Sequence, residues 1–451
     1  MPSLPSHITL IGAGLAGSLM ALLLARRGVR VTVLERRPDL RTHTLDAGRS
    51  INLALADRGI HALRDAGLMQ DVKPLLMEMP GRMLHDLKGA TTFLKYGQAA
   101  HETNYSISRP GLNRVLLDRA EQSGRIEFRF EQSCVCADFA QSRLNMRDEQ
   151  TGQRYTLPLD HIVATDGSNS AARRSLVEAF DVVCVEDVLP HGYKELTLPA
   201  AAGRHRLEPH ALHIWPRGDF MMIGLPNIDG TFTLTLFLAH EGAQSFATLT
   251  ERSTVAAFLE TQFPDLVALA PDLVDEFCTH PIGRMSTVRC ERWTDGDRCV
   301  LMGDAAHAIV PFHGQGMNCA FEDCMEFDAL LERYDWPEAC VEFARRRKPN
   351  TDAIAEMAIE NYAEMRDTVR DPRFQLQKEL SFELEKRFPK RFIPRYSMVM
   401  FHHEIPYAVA HERGTVQAAI LRELTSDAQS VRDVSFVRAR ELIEERLPEI
   451  G

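Results

Sequence analysis

A glycine-rich segment near the start of the chain constrains the fold more than any other feature. It reads Gly12-Ala13-Gly14-Leu15-Ala16-Gly17. The apolar run His7 to Ile11 precedes it, and Ser18 to Arg27 carries the apolar spacing of a helix. Glycines between a strand and a helix let the backbone approach a pyrophosphate at the helix N-terminus. The setting predicts a dinucleotide site, and a plain strand-to-helix turn is the alternative.

A second strand is predicted at Val29 to Leu34, and Glu35 follows it directly. A carboxylate in this position can accept a hydrogen bond from a ribose hydroxyl. It disfavours a nucleotide with a 2′-phosphate, because two anionic groups would repel each other. The adjacent Arg36 and Arg37 leave that point open.

A second glycine-bearing segment lies late in the chain. A buried strand is predicted at Arg298 to Met302, and it ends in Gly303 and Asp304. The turn from Pro311 to Ala320 then opens another helix. An aspartate at a strand end can accept a hydrogen bond from a ribityl hydroxyl, and a helix N-terminus favours an anionic ring beside it. The alternative is an aspartate that caps an ordinary turn.

Between these two segments, Asp160 to Ser170 predicts another strand and tight turn around Asp166, and two arginines follow at positions 173 and 174. The three-part pattern resembles the flavin-dependent aromatic hydroxylases, in which all three segments belong to one FAD domain. The resemblance implies tightly bound FAD, NADPH as a transient reductant and O2 as co-substrate. The sequence has no second GxGxxG unit, which fits a reductant without a Rossmann domain of its own.

Five further segments narrow this resemblance to the kynurenine 3-monooxygenases: Gly48 to Leu55, Pro190 to Leu196, Pro311 to Asn318, Glu360 to Tyr362 and Pro394 to Met398. The implied reaction is the hydroxylation of L-kynurenine to 3-hydroxy-L-kynurenine through a flavin C4a-hydroperoxide. No protein residue is required as a catalytic base, since the protein supplies orientation and a dry pocket. An FAD hydroxylase of another aromatic acid is the alternative, and a non-catalytic protein on the same fold is a more remote one.

The same resemblance assigns the site residues. For the substrate they are Arg82, Tyr96, Asn361, Tyr396, Phe237, Phe312 and His313, of which the first four match the amino-acid clamp and the two phenylalanines are candidate ring walls. A phenylalanine is core by default, and His313 has loop packing as its alternative role. For the cofactor they are Gly12, Gly14, Leu15, Ala16, Gly17, Glu35, Arg36, Ala54, Arg109, Asp166, Asp304, Gly316, Met317 and Asn318.

The composition limits partners and compartment. The formal net charge of -11 over 451 residues disfavours nucleic acid as a partner. Nine cysteines without a C-x-x-C pair predict reduced thiols in a cytoplasmic enzyme and no zinc site. Val431 to Leu447 mixes charged and apolar residues, so we expect a docked amphipathic helix there rather than a membrane anchor. A monomer or homodimer is expected.

The expected fold class is α/β, α+β overall. A Rossmann-like FAD-binding domain of the aromatic-hydroxylase type is predicted over residues 1–70, 100–180 and 280–345. An inserted β-sheet substrate domain is predicted over 71–99 and 181–279, where strand-like runs alternate. Residues 346–451 turn charged and helical, which predicts a C-terminal helical region.

Overall fold

The computed structural model describes residues 2–43, 52–99, 101–366 and 371–450. Residues 48–51 of the predicted family segment Gly48 to Leu55 lie outside these ranges. The strands are β1 (His7–Ile11), β2 (Arg30–Leu34), β3 (Leu53–Leu55), β4 (Met77–Met79), β5 (Gly81–His85), β6 (Thr91–Lys95), β7 (Asn104–Ile107), β8 (Ile126–Arg129), β9 (Gln132–Asp138), β10 (Arg143–Asp148), β11 (Arg154–Pro158), β12 (Ile162–Ala164), β13 (Cys184–Leu198), β14 (Leu212–Pro216), β15 (Met221–Pro226), β16 (Phe232–Ala239), β17 (Gly283–Cys290), β18 (Thr294–Asp295) and β19 (Cys299–Leu301).

The α-helices are α1 (Leu15–Arg26), α2 (Asp57–Asp65), α3 (Met69–Val72), α4 (Arg109–Glu121), α5 (Ala171–Phe180), α6 (Arg252–Gln262), α7 (Pro264–Val267), α8 (Leu273–Thr279), α9 (Asp304–His307), α10 (Gly316–Leu330), α11 (Trp336–Arg366), α12 (Pro372–Arg387), α13 (Arg395–Phe401), α14 (Tyr407–Leu424) and α15 (Phe436–Arg446). The predicted α/β class is confirmed. Among the described residues, no helix is both long and apolar enough to span a bilayer.

A six-stranded sheet forms the first core, in the order β18-β19-β12-β1-β2-β8. Every neighbouring pair is parallel except β18 with β19. Each residue of β12 and β19 is buried, as expected for central strands that are covered on both faces. The unit β1-α1-β2 is the predicted strand-helix-strand unit, and α1 begins at Leu15, directly after the glycine turn.

The register of this sheet brings the three glycine-bearing or aspartate-bearing segments together. Ile11 of β1 pairs with Ala164 of β12, which pairs with Leu301 of β19. Ile11 also pairs with Leu34 of β2 on its other side. Because these strands are parallel, the residues that follow them emerge at one edge of the sheet. Sequence segments far apart in the chain therefore share a single site.

A seven-stranded sheet forms the second core, in the order β17-β13-β16-β15-β14-β5-β6. Side chains alternate between its two faces. One face packs against α6, α7 and α8 through residues such as Trp215 and Leu236. The other face presents Ile214, Met221 and Phe237 to the turn at Phe312 and to helix α11. Two small three-stranded sheets, β11-β10-β9 and β3-β7-β4, complete the β structure of the described residues.

The C-terminal helices are fastened to the first core by a buried arginine of α2. Arg58 is 1% exposed and donates hydrogen bonds to the carbonyls of Val399 and Ile405. It also forms an ion pair with Glu322 of α10, which in turn accepts from Arg347 of α11 at 2.6 Å. The predicted amphipathic helix at the end of the chain is α15, which packs into the C-terminal apolar cluster.

A chain of buried polar groups fastens helix α7 to the seven-stranded sheet. His85 Nδ1 lies 2.9 Å from Asp265 Oδ2, His85 Nε2 lies 2.7 Å from His213 Nδ1, and His213 Nε2 lies 2.8 Å from the Glu208 carbonyl. Burial lowers the pKa of His213 to about 4, so that ring is neutral. Its proton must lie on Nε2, because a carbonyl only accepts. Burial alone would raise the pKa of Asp265, but the hydrogen bonds from His85 and from the Trp215 indole hold that pKa below its usual range.

This arrangement predicts a large effect of Asp265→Asn on stability. The substitution replaces the carboxylate that accepts from both His85 and the Trp215 indole, and the loss of a buried hydrogen bond to a charged group costs about 1.5 to 3 kcal/mol. Asp275→Asn on α8 is the matched control, because its ion pair with Arg252 is exposed and contributes little to stability. Urea unfolding of the FAD-loaded variants measures both. Equal losses of stability in the two variants would contradict the structural role of the Asp265 carboxylate.

Candidate active site

The glycine turn after β1 is shaped for close approach by a ligand backbone group. Gly12 has φ of 104°, and a Cβ atom there would lie 2.5 Å from the Thr165 carbonyl oxygen. A Cβ atom at Gly17 would lie 2.0 Å from the Gly12 carbonyl oxygen. By contrast, a Cβ atom at Gly14 would meet no atom within 4 Å, so the backbone faces open space there. Two glycines thus serve internal packing, and the middle one leaves room for a pyrophosphate.

Three polar side chains that the sequence reasoning missed hold this turn in place. Asn113 of α4 donates to the Ala13 carbonyl at 3.1 Å, and the Ser18 hydroxyl donates to the same oxygen at 3.2 Å. The Thr165 hydroxyl lies 3.0 Å from the Ile11 carbonyl oxygen. Ser18 stands out in the sequence as a polar residue in the apolar helix α1, whereas Asn113 lies among the charged residues of α4, where the sequence gives no such signal.

Glu35 lies beside this turn with most of its acceptor capacity already used. Its Oε2 accepts from the Ala13 amide at 2.8 Å, and its Oε1 accepts from the amide and the guanidinium of Arg37. Burial alone would raise the pKa of Glu35, but these partners hold that pKa below its usual range. One lone pair of Oε2 remains for a ribose hydroxyl. Arg36 and Arg109 are exposed, and no contact joins either side chain to the turn.

Asp166 provides the test of whether the site fits FAD. Its Oδ2 accepts from the amides of Ala171 and Ala172 at the start of α5, at 2.7 and 3.3 Å. Its Oδ1 is buried and has no partner among the described residues. Burial raises the pKa of this carboxyl. A buried acceptor without a donor is costly, so a hydroxyl or N–H group of a bound cofactor fits here.

The turn after β19 is fixed from two sides by residues that the sequence reasoning did not assign. Gly303 has φ of 60°, and its amide donates to Asp323 of α10 at 3.0 Å. Arg173 of α5 donates to the Ala305 carbonyl at 2.8 Å, which ties the middle segment to the late one. Asp304 begins α9, and its half-buried carboxylate forms no hydrogen bond or ion pair with a described residue. That carboxylate is therefore available to a ligand.

The helix that follows, α10, is anchored by Asn318. Its side-chain nitrogen donates to the carbonyls of Ala54 and Gly314 at 2.9 Å, and its oxygen accepts from the Ala56 amide at 3.0 Å. All its hydrogen bonds thus serve to place the N-terminal turn of α10 beside β3. Gly316 is the first residue of this helix. The remaining predicted cofactor residues, Leu15, Ala16 and Met317, lie in or against the apolar core behind the glycine turns.

Arg82 of β5 is the most unusual group in the substrate region. It is 5% exposed, its Nε has no partner, and no carboxylate of the described residues lies within ion-pair distance. Its guanidinium carbon lies 5.3 Å from the ring centre of Tyr96 and 4.9 Å from that of Tyr396. Burial lowers the pKa of Arg82, but Tyr396, Tyr96 and the carboxylate of Glu364 together raise it by more, so the group stays charged. Burial raises the pKa of Tyr96, whose hydroxyl remains a donor.

An aromatic wall continues from this cation. The rings of Phe237 and Phe312 lie 4.9 Å apart, and Tyr362 stacks on Phe312 at 3.8 Å. Asn361 donates to the Phe312 carbonyl at 2.7 Å, which leaves its own side-chain oxygen as an acceptor. His313 joins the wall to the clamp, since its ring stacks on Tyr396 at 5.5 Å.

His313 is unsuited to carry a proton at neutral pH. Burial lowers its pKa to about 3, and its Nδ1 has no partner among the described residues.

The seven predicted substrate residues lie in one connected group of side chains. Asn104 was missed, and its amide lies 3.4 Å from the Tyr396 hydroxyl while its own oxygen is buried and unpartnered. A lone buried asparagine gives no distinctive sequence signal.

Among the described residues, two groups of side chains have the composition of metal ligands. His307, Cys319 and Asp323 lie together, but both oxygens of Asp323 are already engaged by His307, Arg347 and the Gly303 amide. The second group is Asp57, His403 and Glu404, in which His403 Nδ1 lies 2.6 Å from Asp57 Oδ2. Ion pairs and hydrogen bonds account for both groups.

Comparison with known proteins agrees with the geometry. The model of the FAD binding domain family matches residues 6–332. The kynurenine 3-monooxygenase of Myxococcus xanthus is 46% identical over 442 residues, which cover 98% of this chain and 95% of that protein. The enzyme of the same name from Stenotrophomonas maltophilia is 44% identical over 98% of this chain and 97% of its own length.

Solved structures show the same fold at low sequence identity. A 2-methyl-3-hydroxypyridine-5-carboxylic acid oxygenase superposes with a TM-score of 0.64 at 21% identity, over 84% of this chain and 97% of that one. The p-nitrophenol 4-monooxygenase of Pseudomonas putida superposes with a TM-score of 0.66 at 15% identity, over 93% and 98% of the chains. With the FAD domain and the full-length relatives together, this chain belongs to the kynurenine 3-monooxygenase family of FAD-dependent enzymes.

Proposed function

We propose that this protein is an NADPH- and O2-dependent FAD monooxygenase that hydroxylates L-kynurenine to 3-hydroxy-L-kynurenine. The observation that carries the proposal is the buried guanidinium of Arg82, which has no carboxylate partner among the described residues. Burial of a charge without a partner costs roughly several kcal/mol of free energy unless a ligand neutralises the charge. The carboxylate of an amino-acid substrate supplies the missing charge.

The surrounding groups match the rest of an aromatic amino acid. The rings of Tyr96 and Tyr396 lie 5.3 and 4.9 Å from the guanidinium carbon, and their hydroxyls can donate further bonds to a carboxylate. The free acceptor of Asn361 suits an ammonium group. The apolar wall of Phe237 and Phe312 suits an aromatic ring. A simple aromatic acid without an ammonium group, the competing candidate, would leave the Asn361 oxygen unused.

The protein contributes to the reaction by binding the cofactor and the substrate and by excluding water from the site. When FAD is bound and reduced by NADPH, it activates O2 for transfer of one oxygen atom to the substrate ring. Glu35, Asp166 and Asp304 would hold the cofactor through acceptors at the edge of the parallel sheet. The clamp at Arg82 fixes the orientation of the substrate, and the aromatic wall keeps water from the ring. Neutral His313 lines the site without serving as a base.

The sheets support the proposed division of the chain. The six-stranded sheet draws on residues 1–70, 100–180 and 280–345, the proposed FAD-binding domain. Segments 71–99 and 181–279 supply six strands of the seven-stranded sheet, which we propose as the substrate domain, and β17 adds its edge strand. Nine free cysteines support a cytoplasmic location. We propose a monomer or homodimer, which light scattering tests.

We predict that Arg82→Met weakens substrate binding. Loss of the charge-assisted pair should raise the Kd of L-kynurenine at least about tenfold, equivalent to about 1.4 kcal/mol, while FAD stays bound. Lys95→Met is the matched control, because Lys95 lies on the neighbouring strand β6 and is exposed. Quenching of flavin fluorescence by titrated kynurenine measures the Kd. An unchanged Kd in the Arg82 variant would exclude the clamp.

We predict that Asp304→Ala weakens FAD retention. A lost hydrogen bond to a buried ligand group costs about 1 to 3 kcal/mol, so prolonged dialysis should strip the variant of flavin. Asp297→Ala is the control, since Asp297 is exposed at the opposite end of β19. The ratio of flavin absorbance to protein absorbance reports occupancy. Full occupancy in the Asp304 variant would count against the assignment.

We predict that Tyr396→Phe separates binding from coupling. The ring stays in place and one polar contact is lost, at about 0.5 to 1.5 kcal/mol. Stopped-flow reduction at saturating kynurenine should lose more of its stimulation than binding loses affinity, and peroxide per NADPH should rise. Tyr155→Phe in the separate three-stranded sheet is the control. If stimulation and peroxide yield are both unchanged, Tyr396 is only a binding contact.

A further inference from the structure

Two cysteines face each other on the strands that carry the chain into and out of the seven-stranded sheet. β13 follows helix α5, which begins directly after the Asp166 segment, and β17 leads into β18 and β19. Cys184 is the first residue of β13, and Cys290 is the last residue of β17. The two are direct partners in the antiparallel register. The pair therefore lies at the junction between the two large sheets.

The backbone hydrogen bonds identify this pair as a non-hydrogen-bonded one. The Glu291 amide donates to the Val183 carbonyl at 3.0 Å, which makes that adjacent pair the hydrogen-bonded kind. The two kinds alternate along an antiparallel ladder, so the cysteines occupy the other kind. Consistently, the Val288 amide, two residues away, points outward to the Ala308 carbonyl at 2.8 Å. Non-hydrogen-bonded pairs bring Cα atoms to about 4.5 Å, within the range of about 4.4–6.8 Å that disulfides span.

The two thiols differ in their access to solvent. Cys290 is 1% exposed, and its thiol donates to the Arg292 carbonyl at 3.2 Å. Burial, with Cys184 alongside, raises the pKa of Cys290 to about 12, so it remains a thiol. Cys184 is only half-buried. An oxidant from solvent therefore meets Cys184 first, with the second thiol already in place behind it.

We propose that Cys184 and Cys290 form an oxidisable dithiol site, which hydrogen peroxide converts into a disulfide. The Cys184 sulfur attacks peroxide, breaks the O–O bond and becomes a sulfenic acid, with release of one water. The Cys290 sulfur then attacks the sulfenic sulfur, loses its proton and releases the second water. Two thiols are oxidised and one peroxide is reduced to two waters. Thiol reductants reverse the change.

The source of the peroxide rests on the proposed function, whereas the dithiol geometry does not. An oxygenase that consumes NADPH and O2 without hydroxylating its substrate returns the oxygen as hydrogen peroxide. The site would then register unproductive turnover. The bond would join the two strands at the base of the substrate sheet and close a loop that contains β14, β15 and β16 as well as α6, α7 and α8.

The test uses the FAD-loaded protein with fully reduced thiols. One arm receives a small excess of hydrogen peroxide, and the other receives NADPH and air without kynurenine, with and without catalase. Peptide mapping under alkylating, non-reducing conditions measures the cross-link. Cys184→Ser removes the accessible thiol, and Cys278→Ser is the matched control, because Cys278 is exposed and lies on α8 away from the pair.

We expect added peroxide to give a cross-linked peptide lighter by two hydrogens, a rise in Tm and reversal of both by dithiothreitol. Cys278→Ser should behave in the same way, and Cys184→Ser should give no cross-link. Cys184 driven to sulfinic acid while Cys290 stays alkylatable would overturn the proposal. A cross-link that forms with added peroxide but not with NADPH would support the dithiol site. It would contradict the proposed function only as the source of the peroxide.

Discussion

The parallel register of four neighbouring strands is the constraint on which the rest of the structure depends. β2, β1, β12 and β19 end in one line, so Glu35, Gly12, Asp166 and Gly303 emerge side by side. Parallel neighbours require crossover connections, and those connections are long here because the chain builds the seven-stranded sheet within them. The substrate face of that sheet is thereby brought against the turn at Phe312, which continues from the same edge.

The buried arginines in the described part of this protein differ in the groups that surround them. Arg58 and Arg347 are paired with carboxylates of α10, and their hydrogen bonds hold helices together. Arg82 is equally buried but has aromatic rings and hydroxyls around it instead of a carboxylate. Arg173 and Arg413 are buried as well, and their guanidinium groups donate to backbone carbonyls. Desolvation is costly in every case, so what marks Arg82 is a surrounding of tyrosine side chains in place of carboxylates and carbonyls.

The seven-stranded sheet serves two purposes because its side chains alternate. Arg82 and Leu84 of β5 point to the substrate region, whereas His85 points to the helices on the opposite face and joins the chain of hydrogen bonds to Asp265. The contacts on the helix-covered face fix the positions of the strands. The arrangement of the side chains on the substrate face depends on those positions. The opposed cysteines lie where this sheet joins the FAD-binding core.

The sequence by itself determined the strand-helix-strand unit, the three cofactor segments and the α/β class, because glycine turns and apolar periodicity are local properties. Its resemblance to a family indicated Arg82 and Tyr396, although neither residue is distinctive alone. Tertiary structure alone decided that Asn113 and Arg173 hold the cofactor turns and that Asn318 is spent on backbone contacts. It also decided that Cys184 opposes Cys290. These contacts join residues far apart in the chain. Which polar side chain contacts which carbonyl depends on how the strands pair and how the helices pack, and no local sequence pattern contains that information.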